Sequence, residues 1–542
     1  VERYAWSPDG RWAAVVVEDR SGLDMVKMPD YTPLKGVKIH ELRRDNVGRP
    51  LARVRVGIVP AAGGKMERLP LVEPGQPRSA YDPKDTGNTL QVNQIGWTWD
   101  SARLIVTYRD RTYRQWSLAV ARPEAVAETV ELRREYAEPW FCWSPLGISP
   151  DSRYAYYLSY ATGWQHIYRL PLDGGLPEAV TAGAFDVTHF VVPKAGDSVY
   201  YTAHAPHPQE LRAYRVPLKG GEATEISPSE LTWSSVEPSD DGRALAFVSS
   251  RVLTPPEVYC RVGDAPPRRA TQSPRDVYAR LPQPRSERFT FTNESDGATV
   301  HARLMLPPDF DPAQRYPVVF SCVYAGQGKD AFGRYQLLDA YMAAEMGYIV
   351  VGVDLRASQG YGRDFLYGYH RQLGLIDSDE LVSCARHLQQ RPYVDGERLG
   401  IWGGSYGGFL TLMVMSRHPG VFRAGISWKP VTDWRNYNDS YTVERLRRLE
   451  ELPEVYRATS PVFHAEKLAG RLLLVHGMLD DNVLFQDCVW MVQRLIEAGK
   501  HFDLMVYPRD DHGFTLRHES LPDLMERMAA YFEEHLGLGP GR

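Results

Sequence analysis

Five times in the first half of the chain a short polar turn runs straight into an apolar stretch, and this recurrence restricts the fold more than any other feature. Trp6-Ser7-Pro8-Asp9-Gly10 leads into residues 12–17, Trp97-Thr98-Trp99-Asp100 into Leu104-Ile105-Val106, and Ser149-Pro150-Asp151 into residues 154–157. Ala195-Gly196-Asp197 leads into Val199-Tyr200-Tyr201, and Ser239-Asp240-Asp241-Gly242 into residues 245–248. After a first interval of about ninety residues the spacing settles at about forty-five to fifty, the period of a β-propeller blade. A β-sandwich also gives recurrent Asp-Gly turns, but five matched units favour the propeller.

The pattern changes near residue 285. Pro266, Pro267, Pro282 and Pro284 precede the strand-like Arg288-Phe289-Thr290-Phe291, which places a boundary between an N-terminal domain, 1–285, and a C-terminal domain, 286–542. Two domains also suit a chain of 542 residues. In the second half, β-rich runs (318–320, 348–351, 399–402, 424–426, 472–475) alternate with helical patterns. Asp377 and Glu380 read as a capping start for a helix through 381–388, and 521–536 reads as a C-terminal amphipathic helix. Such βα alternation implies an α/β fold with a doubly wound, mostly parallel sheet.

Composition narrows the function. Hydrophobic residues make up 43% and charged residues 24%, with a net charge of -5. No basic stretch suggests nucleic acid, and no apolar run approaches the roughly 18 residues of a membrane helix. The chain opens Val1-Glu2-Arg3-Tyr4, without an initiator Met or a signal-peptide pattern, and its compartment stays open. Cys142, Cys260, Cys322, Cys384 and Cys488 are far apart, without metal-ligand spacing, and read as reduced, mostly buried thiols. No metal or other cofactor is expected.

Gly403-Gly404-Ser405-Tyr406-Gly407 follows a strand and precedes the helical run 409–415. That context makes a weak pentapeptide a strong signal for a nucleophile elbow, a turn that lifts a serine hydroxyl above the sheet. A serine needs a base and the base an orienting carboxylate, here in the order Ser, Asp, His. After 472–475 comes His476-Gly477-Met478-Leu479-Asp480-Asp481-Asn482-Val483, and after 504–507 comes Pro508-Arg509-Asp510-Asp511-His512-Gly513. Both segments follow strand ends on the nucleophile's edge. Ser405, His512 and either Asp480 or Asp481 are therefore the predicted triad of a serine hydrolase. The backbone N–H of Tyr406 is one expected oxyanion donor. A second should come from the loop after 318–323, where position alone leaves Tyr324 a packing residue.

The second half resembles the prolyl oligopeptidase family of serine peptidases, most closely its dipeptidyl peptidase IV-like branch. The resemblance rests on Val323-Tyr324-Ala325-Gly326, on Asp354-Leu355-Arg356-Ala357-Ser358-Gln359-Gly360-Tyr361-Gly362 and on Gly404-Ser405-Tyr406-Gly407-Gly408. It extends to Pro430-Val431-Thr432-Asp433-Trp434, Asp439-Ser440-Tyr441-Thr442, 476–485 and Asp511-His512-Gly513, and more loosely to Gly163-Trp164-Gln165-His166-Ile167-Tyr168 in the first half. It implies Asp480 rather than Asp481 in the triad, and a Tyr324 hydroxyl as the second oxyanion donor. It further implies Tyr406, Val431, Trp434, Tyr437, Tyr441 and Val483 as an apolar pocket for the residue before the cut, usually proline or alanine. Asn482 would hold the carbonyl of the preceding residue. Three positions depart from the branch: Gly404 replaces its usual tryptophan, Ala357 its usual glycine, and Lys429 a small apolar residue. Aligned by the Trp-Ser-Pro-Asp-Gly turn, residue 1 falls mid-propeller, so that the family's paired glutamates for the substrate's amino group are expected upstream.

The resulting expectation is an exopeptidase cleaving dipeptides or short peptides from the N-terminus of oligopeptides, with short peptides as partners and a homodimer by family analogy. An acylaminoacyl-peptidase, or a broader amidase or esterase, shares the scaffold. A propeller binding module with an inactive hydrolase domain is the reading from another class, and a complete triad argues against it.

Overall fold

The computed structural model describes residues 1–72, 90–139, 144–227, 232–273, 280, 283–514 and 517–542; Cys142 and Pro282 lie outside the described residues. From the N-terminus come five four-stranded antiparallel sheets in succession. They begin with the strands Arg3–Trp6, Gln91–Trp97, Gly147–Ile148, Val187–Val191 and Thr232–Pro238, and each meanders through four strands to its edge.

The repeated turn has one construction. The hydroxyls of Ser7, Thr98, Ser149 and Ser239 donate to Asp9, Asp100, Asp151 and Asp241 at 2.6, 2.6, 2.5 and 2.7 Å. Each hydroxyl also accepts the backbone N–H five residues on, at Trp12, Arg103, Tyr154 and Ala244. The side chains thereby close the turn that delivers the chain into its second strand. The residue after each Asp must then enter the left-handed region, where Gly10 and Gly242 stand at φ 71° and 68° and Ser101 and Ser152 at 62° and 60°. The unit at Ala195-Gly196-Asp197 lacks the Ser–Asp pair. The long first interval arises partly from a hairpin, Asp24–Asp30 with Lys38–Arg44, inserted between the second and third strands of the first sheet.

The second half is built on eight strands: β1 Arg285–Thr292, β2 Thr299–Leu306, β3 Tyr316–Phe320, β4 Ile349–Val353, β5 Val394–Gly404, β6 Ala424–Trp428, β7 Arg471–Gly477 and β8 Asp503–Tyr507. Their order is β1-β2-β4-β3-β5-β6-β7-β8. The pairings of β1 with β2 and of β2 with β4 are antiparallel, and all the others are parallel. Helices cover both faces. Tyr406–Arg417, Ile376–Gln389 and Phe485–Glu497 pack on one core, and Gln336–Ala344 and Ser520–Leu536 on the other. Strands buried on both sides read as continuous apolar runs rather than alternating ones, and β3, β4 and β6 are buried along their whole length.

One local expectation is corrected. The helix Ile376–Gln389 starts without a side-chain cap. Asp377 instead accepts the Tyr406 hydroxyl at 2.6 Å, and Glu380 pairs with the Arg356 guanidinium at 2.7 Å. These two carboxylates look inward, where tertiary partners outcompete the orphan N–H groups of the first turn. Burial raises both groups, Asp377 to about 6 and Glu380 to about 8. Among the described residues, no helix is long and apolar enough to cross a membrane.

Candidate active site

β5 ends at Gly404, and the helix Tyr406–Arg417 begins two residues later. Ser405 between them takes φ 59° and ψ -118°, a conformation L-residues avoid unless their surroundings enforce it. Here the elbow is held by close backbone approach. A Cβ on Gly403 would stand 2.5 Å from the Gly407 carbonyl carbon, one on Gly407 2.7 Å from the Val323 oxygen, and one on Gly408 2.5 Å from the Trp428 oxygen. Ser405 N–H donates to the Trp428 carbonyl at 2.9 Å, fixing the elbow to β6.

His512 lies on the loop after β8. Its Nε2 is 3.1 Å from the Ser405 Oγ, and its Nδ1 2.7 Å from the Asp480 Oδ2. With Nδ1 protonated and donating to Asp480, Nε2 is left to accept the serine proton. Asp480, just past the end of β7, is fully buried, whereas Asp481 is exposed. The other Asp480 oxygen accepts N–H bonds from Asn482 and Val483 at 3.0 and 2.8 Å. Burial alone would raise this carboxyl, but hydrogen bonds from His476 and His512 outweigh it and hold Asp480 well below the usual carboxylate range. The buried His476 stands behind it, its Nε2 3.3 Å from Asp480 Oδ2 and 2.9 Å from the Val483 carbonyl oxygen. Burial opposes its charge, yet the pairing with Asp480 and Cys488 lifts it to about 10. A carboxylate between two imidazoles is thus kept ionised.

Tyr324 and the predicted pocket residues gather around Tyr406, the residue after Ser405. The Tyr324 ring meets Tyr406 edge-on at 5.3 Å, and burial raises the Tyr324 hydroxyl. Trp434 stacks on Tyr441 at 5.7 Å and stands edge-on to Tyr437 at 5.7 Å, with Tyr406 6.2 Å away. Val431, Trp434, Tyr437 and Val483 are buried in one core with Tyr406, and Tyr324 and Tyr441 pack against it. The Tyr437 hydroxyl donates to the Asn482 Oδ1 at 3.1 Å, which turns the Asn482 NH₂ the other way.

Several supports went unread in the sequence. Gly328 N–H and the Tyr361 hydroxyl donate to the two oxygens of Asp354 at 2.8 and 2.5 Å, and Gly326 N–H to Ser358 Oγ at 2.8 Å. The motif after β4 therefore braces the loop that carries Tyr324. Asp186 of the first half accepts N–H bonds from Gly360 and Gly362 on that brace, at 2.8 and 3.1 Å. Arg44, at the foot of the inserted hairpin, donates to the carbonyls of Asp481 and Asn482 at 2.8 and 2.9 Å. Arg109 forms a buried ion pair with Glu444, on the helix Asp439–Leu446 that carries Tyr441. No local motif marks Arg44 or Arg109, since their partners lie hundreds of residues away. Among the described residues, no cluster of His, Cys, Asp and Glu is arranged to hold a metal.

Comparison with known proteins agrees in both halves. Residues 334–539 match the prolyl oligopeptidase family, and residues 2–256 match the dipeptidyl peptidase IV N-terminal region. The chain is 27% identical to a "Probable dipeptidyl peptidase 4" of Aspergillus clavatus, over 94% of this chain and 69% of that protein. It is 26% identical to a dipeptidyl peptidase 4 of Trichophyton equinum, over 94% and 68%. The crystal structure of Porphyromonas gingivalis dipeptidyl peptidase 4 superposes with a TM-score of 0.88 at 26% identity, covering 98% of this chain and 74% of that one. This likeness implies an N-terminal propeller followed by a C-terminal hydrolase domain. Along both halves, then, the chain resembles the prolyl oligopeptidase family of serine peptidases, in its dipeptidyl peptidase IV-like branch.

Proposed function

We propose that the protein is a serine exopeptidase that releases dipeptides, or short N-terminal peptides, from oligopeptides through an acyl-enzyme on Ser405. The observation that carries this reading is the unbroken line from the Ser405 hydroxyl through His512 to a buried, ionised Asp480. Ser405 Oγ attacks the scissile carbonyl carbon while its proton passes to His512 Nε2. Asp480 stabilises the imidazolium so formed. Charge developing on the carbonyl oxygen is met by the Tyr406 N–H, at a helix start with no intrahelical acceptor, and by the Tyr324 hydroxyl. The C–N bond breaks as His512 returns the proton to the leaving amine. Water, activated by the same imidazole, then releases the acyl group and restores Ser405.

The substrate residue before the cut sits among Tyr406, Val431, Trp434, Tyr437, Tyr441 and Val483. Flat aromatic walls suit proline or alanine, which need no polar partner there. The Asn482 NH₂ donates to the carbonyl one residue earlier. Residues 1–285 form the propeller domain and 286–542 the hydrolase domain, so access is restricted to short, unstructured peptides. The relatives' printed names support the dipeptidyl reading. The test is the ratio of kcat/KM for an X-Pro chromogenic amide with a free amino terminus to that for its acetylated copy, on the full-length protein. A large ratio is expected. A ratio near one, or one favouring the acetylated substrate, refutes the dipeptidyl assignment and leaves an acylaminoacyl-peptidase.

A further inference from the structure

Lys429 follows β6 directly, and nothing in the reaction as described uses it. Its side chain is buried, with 4% of the residue exposed. Burial of an ammonium is costly unless its donors find acceptors, and two observations show what this one meets. Its Nζ donates to the backbone carbonyl of His512 and stands 3.9 Å from the centroid of the Trp428 ring. The next carbonyl in the loop, that of Gly513, accepts from the Arg334 guanidinium at 3.1 Å. The loop that bears the general base is thus gripped at successive carbonyls by two cations from different elements.

The space for Lys429 comes from the nucleophile's own strand. A Cβ on Gly404 would stand 3.1 Å from Cε3 of Trp428 and 3.4 Å from Cε of Lys429. A side chain extending beyond Cβ there would compete with the lysine stem for the face of the indole. Lys429 also takes φ 45°, a conformation that costs an L-residue roughly 1–2 kcal/mol. A position merely filling space would have no reason to combine strain with a buried charge.

We infer that Lys429 is a positioning residue for the general base: its ammonium holds the His512 carbonyl, and with it the imidazole, in line with Ser405, in room that Gly404 leaves open. The inference rests on the reading of Ser405 and His512 as the reacting pair. The groups around the ammonium account for its titration: burial lowers it to about 8, while Asp480 and Asp511 favour the charge and Arg334 opposes it.

The test is the pseudo-first-order rate constant for labelling of Ser405 by a fluorophosphonate, together with kcat and KM on a short peptide amide. The rate constant reports on folded molecules only, so partial unfolding does not distort it. Lys429→Met keeps the stem on Trp428 and removes the donor. Both the labelling rate and kcat should fall at least about tenfold, one decade being about 1.4 kcal/mol, with KM within about twofold. Lys429→Arg, which keeps a cation able to reach a carbonyl, should recover most of the loss. If Lys429→Met gives no folded protein, Lys429→Gln takes its place under the same threshold. Labelling and kcat within about twofold of the parent, or a loss confined to KM, overturn the inference. Ser405→Ala is the separate control: persistent labelling there would overturn the triad itself, whereas an unaffected Lys429→Met leaves the triad standing.

Discussion

Arg44 offers the sharpest test of how the two halves cooperate, because it reaches the site from a hairpin remote in sequence. The residue is 7% exposed and its guanidinium makes three hydrogen bonds, to the carbonyls of Asp481 and Asn482 and to Asn46 Oδ1 at 3.2 Å. The first two carbonyls belong to the turn that places Asp480 and Asn482. The same segment is tied to the pocket by Val47 N–H donating to the Tyr437 carbonyl and Asp439 N–H to that of Asp45, at 3.1 and 2.7 Å. Hydrogen bonds to a charged group contribute about 1.5–3 kcal/mol each, and truncation leaves part-buried acceptors without this donor. Because neighbouring bonds are not additive, we take about 3 kcal/mol for Arg44→Ala. If all of it appeared in the transition state, kcat/KM would fall by about 10²; with part absorbed by folding stability, about tenfold is the floor. Loss of the Asn482 amide's placement should raise KM, and loosening of Asp480 should lower kcat, so both constants move. Arg44→Lys, able to reach one carbonyl at a time, should fall between. The assay is steady-state kinetics on a short peptide amide, with circular dichroism as control. A change in kcat/KM below about twofold for folded Arg44→Ala would refute the reasoning and leave the hairpin a bystander.

Tyr324→Phe should lower kcat by roughly 10²–10³-fold with little change in KM, because its hydroxyl would act on charge present only in the transition state; an unchanged kcat would show that Tyr324 only packs. Ala357→Gly should raise stability, since Ala357 holds φ 77°. Relief of roughly 1–2 kcal/mol, reduced by glycine's greater freedom when unfolded, leaves a gain of about 0.5–1 kcal/mol, read as a shift of the urea midpoint; a lower midpoint would sink that account. Asp377, raised by burial from 3.8 to about 6, binds more protons folded than unfolded between those values. Its contribution to stability is therefore full below about pH 4 and lost as pH rises through about 6. Relative to Asp377→Asn, the parent's melting temperature should drop between about pH 4.5 and 7.5, and a constant difference would contradict the raised value.

What was legible in the sequence is what local chemistry decides. The elbow could be read because strand, glycine-flanked serine and helix are contiguous. The repeated turn could be read because Ser, Asp and a left-handed residue close it within six positions. Asp480 and Asp481 could not be separated by spacing, since either follows β7 at a plausible distance; the family resemblance favours Asp480, and burial and the donors around it give the physical difference. Asp377 and Glu380 misled as a capping pair because the local pattern carries no information about Tyr406 and Arg356, which claim those carboxylates from elsewhere in the fold. Arg44 and Asp186 stayed invisible for the same reason. A residue whose partners are assembled by topology leaves no periodic or spaced mark.

The residues under backbone strain connect these points. Cys322, Ala357, Ser405 and Lys429 all have positive φ, at 44°, 77°, 59° and 45°, and all lie just beyond the C-terminal ends of β3, β4, β5 and β6. A parallel sheet sends every strand out at the same edge, and each chain must turn sharply there if its side chains are to face a common site. Glycine would make the turn at the least cost. Where a side chain has a task it must be kept despite the strain, and the packing around it has to hold it. Ser405 supplies a hydroxyl and Lys429 a cation, so glycine would remove the function along with the strain. Ala357 supplies neither, and its methyl group has no task in the site, so relief of strain there should stabilise the fold without loss of chemistry.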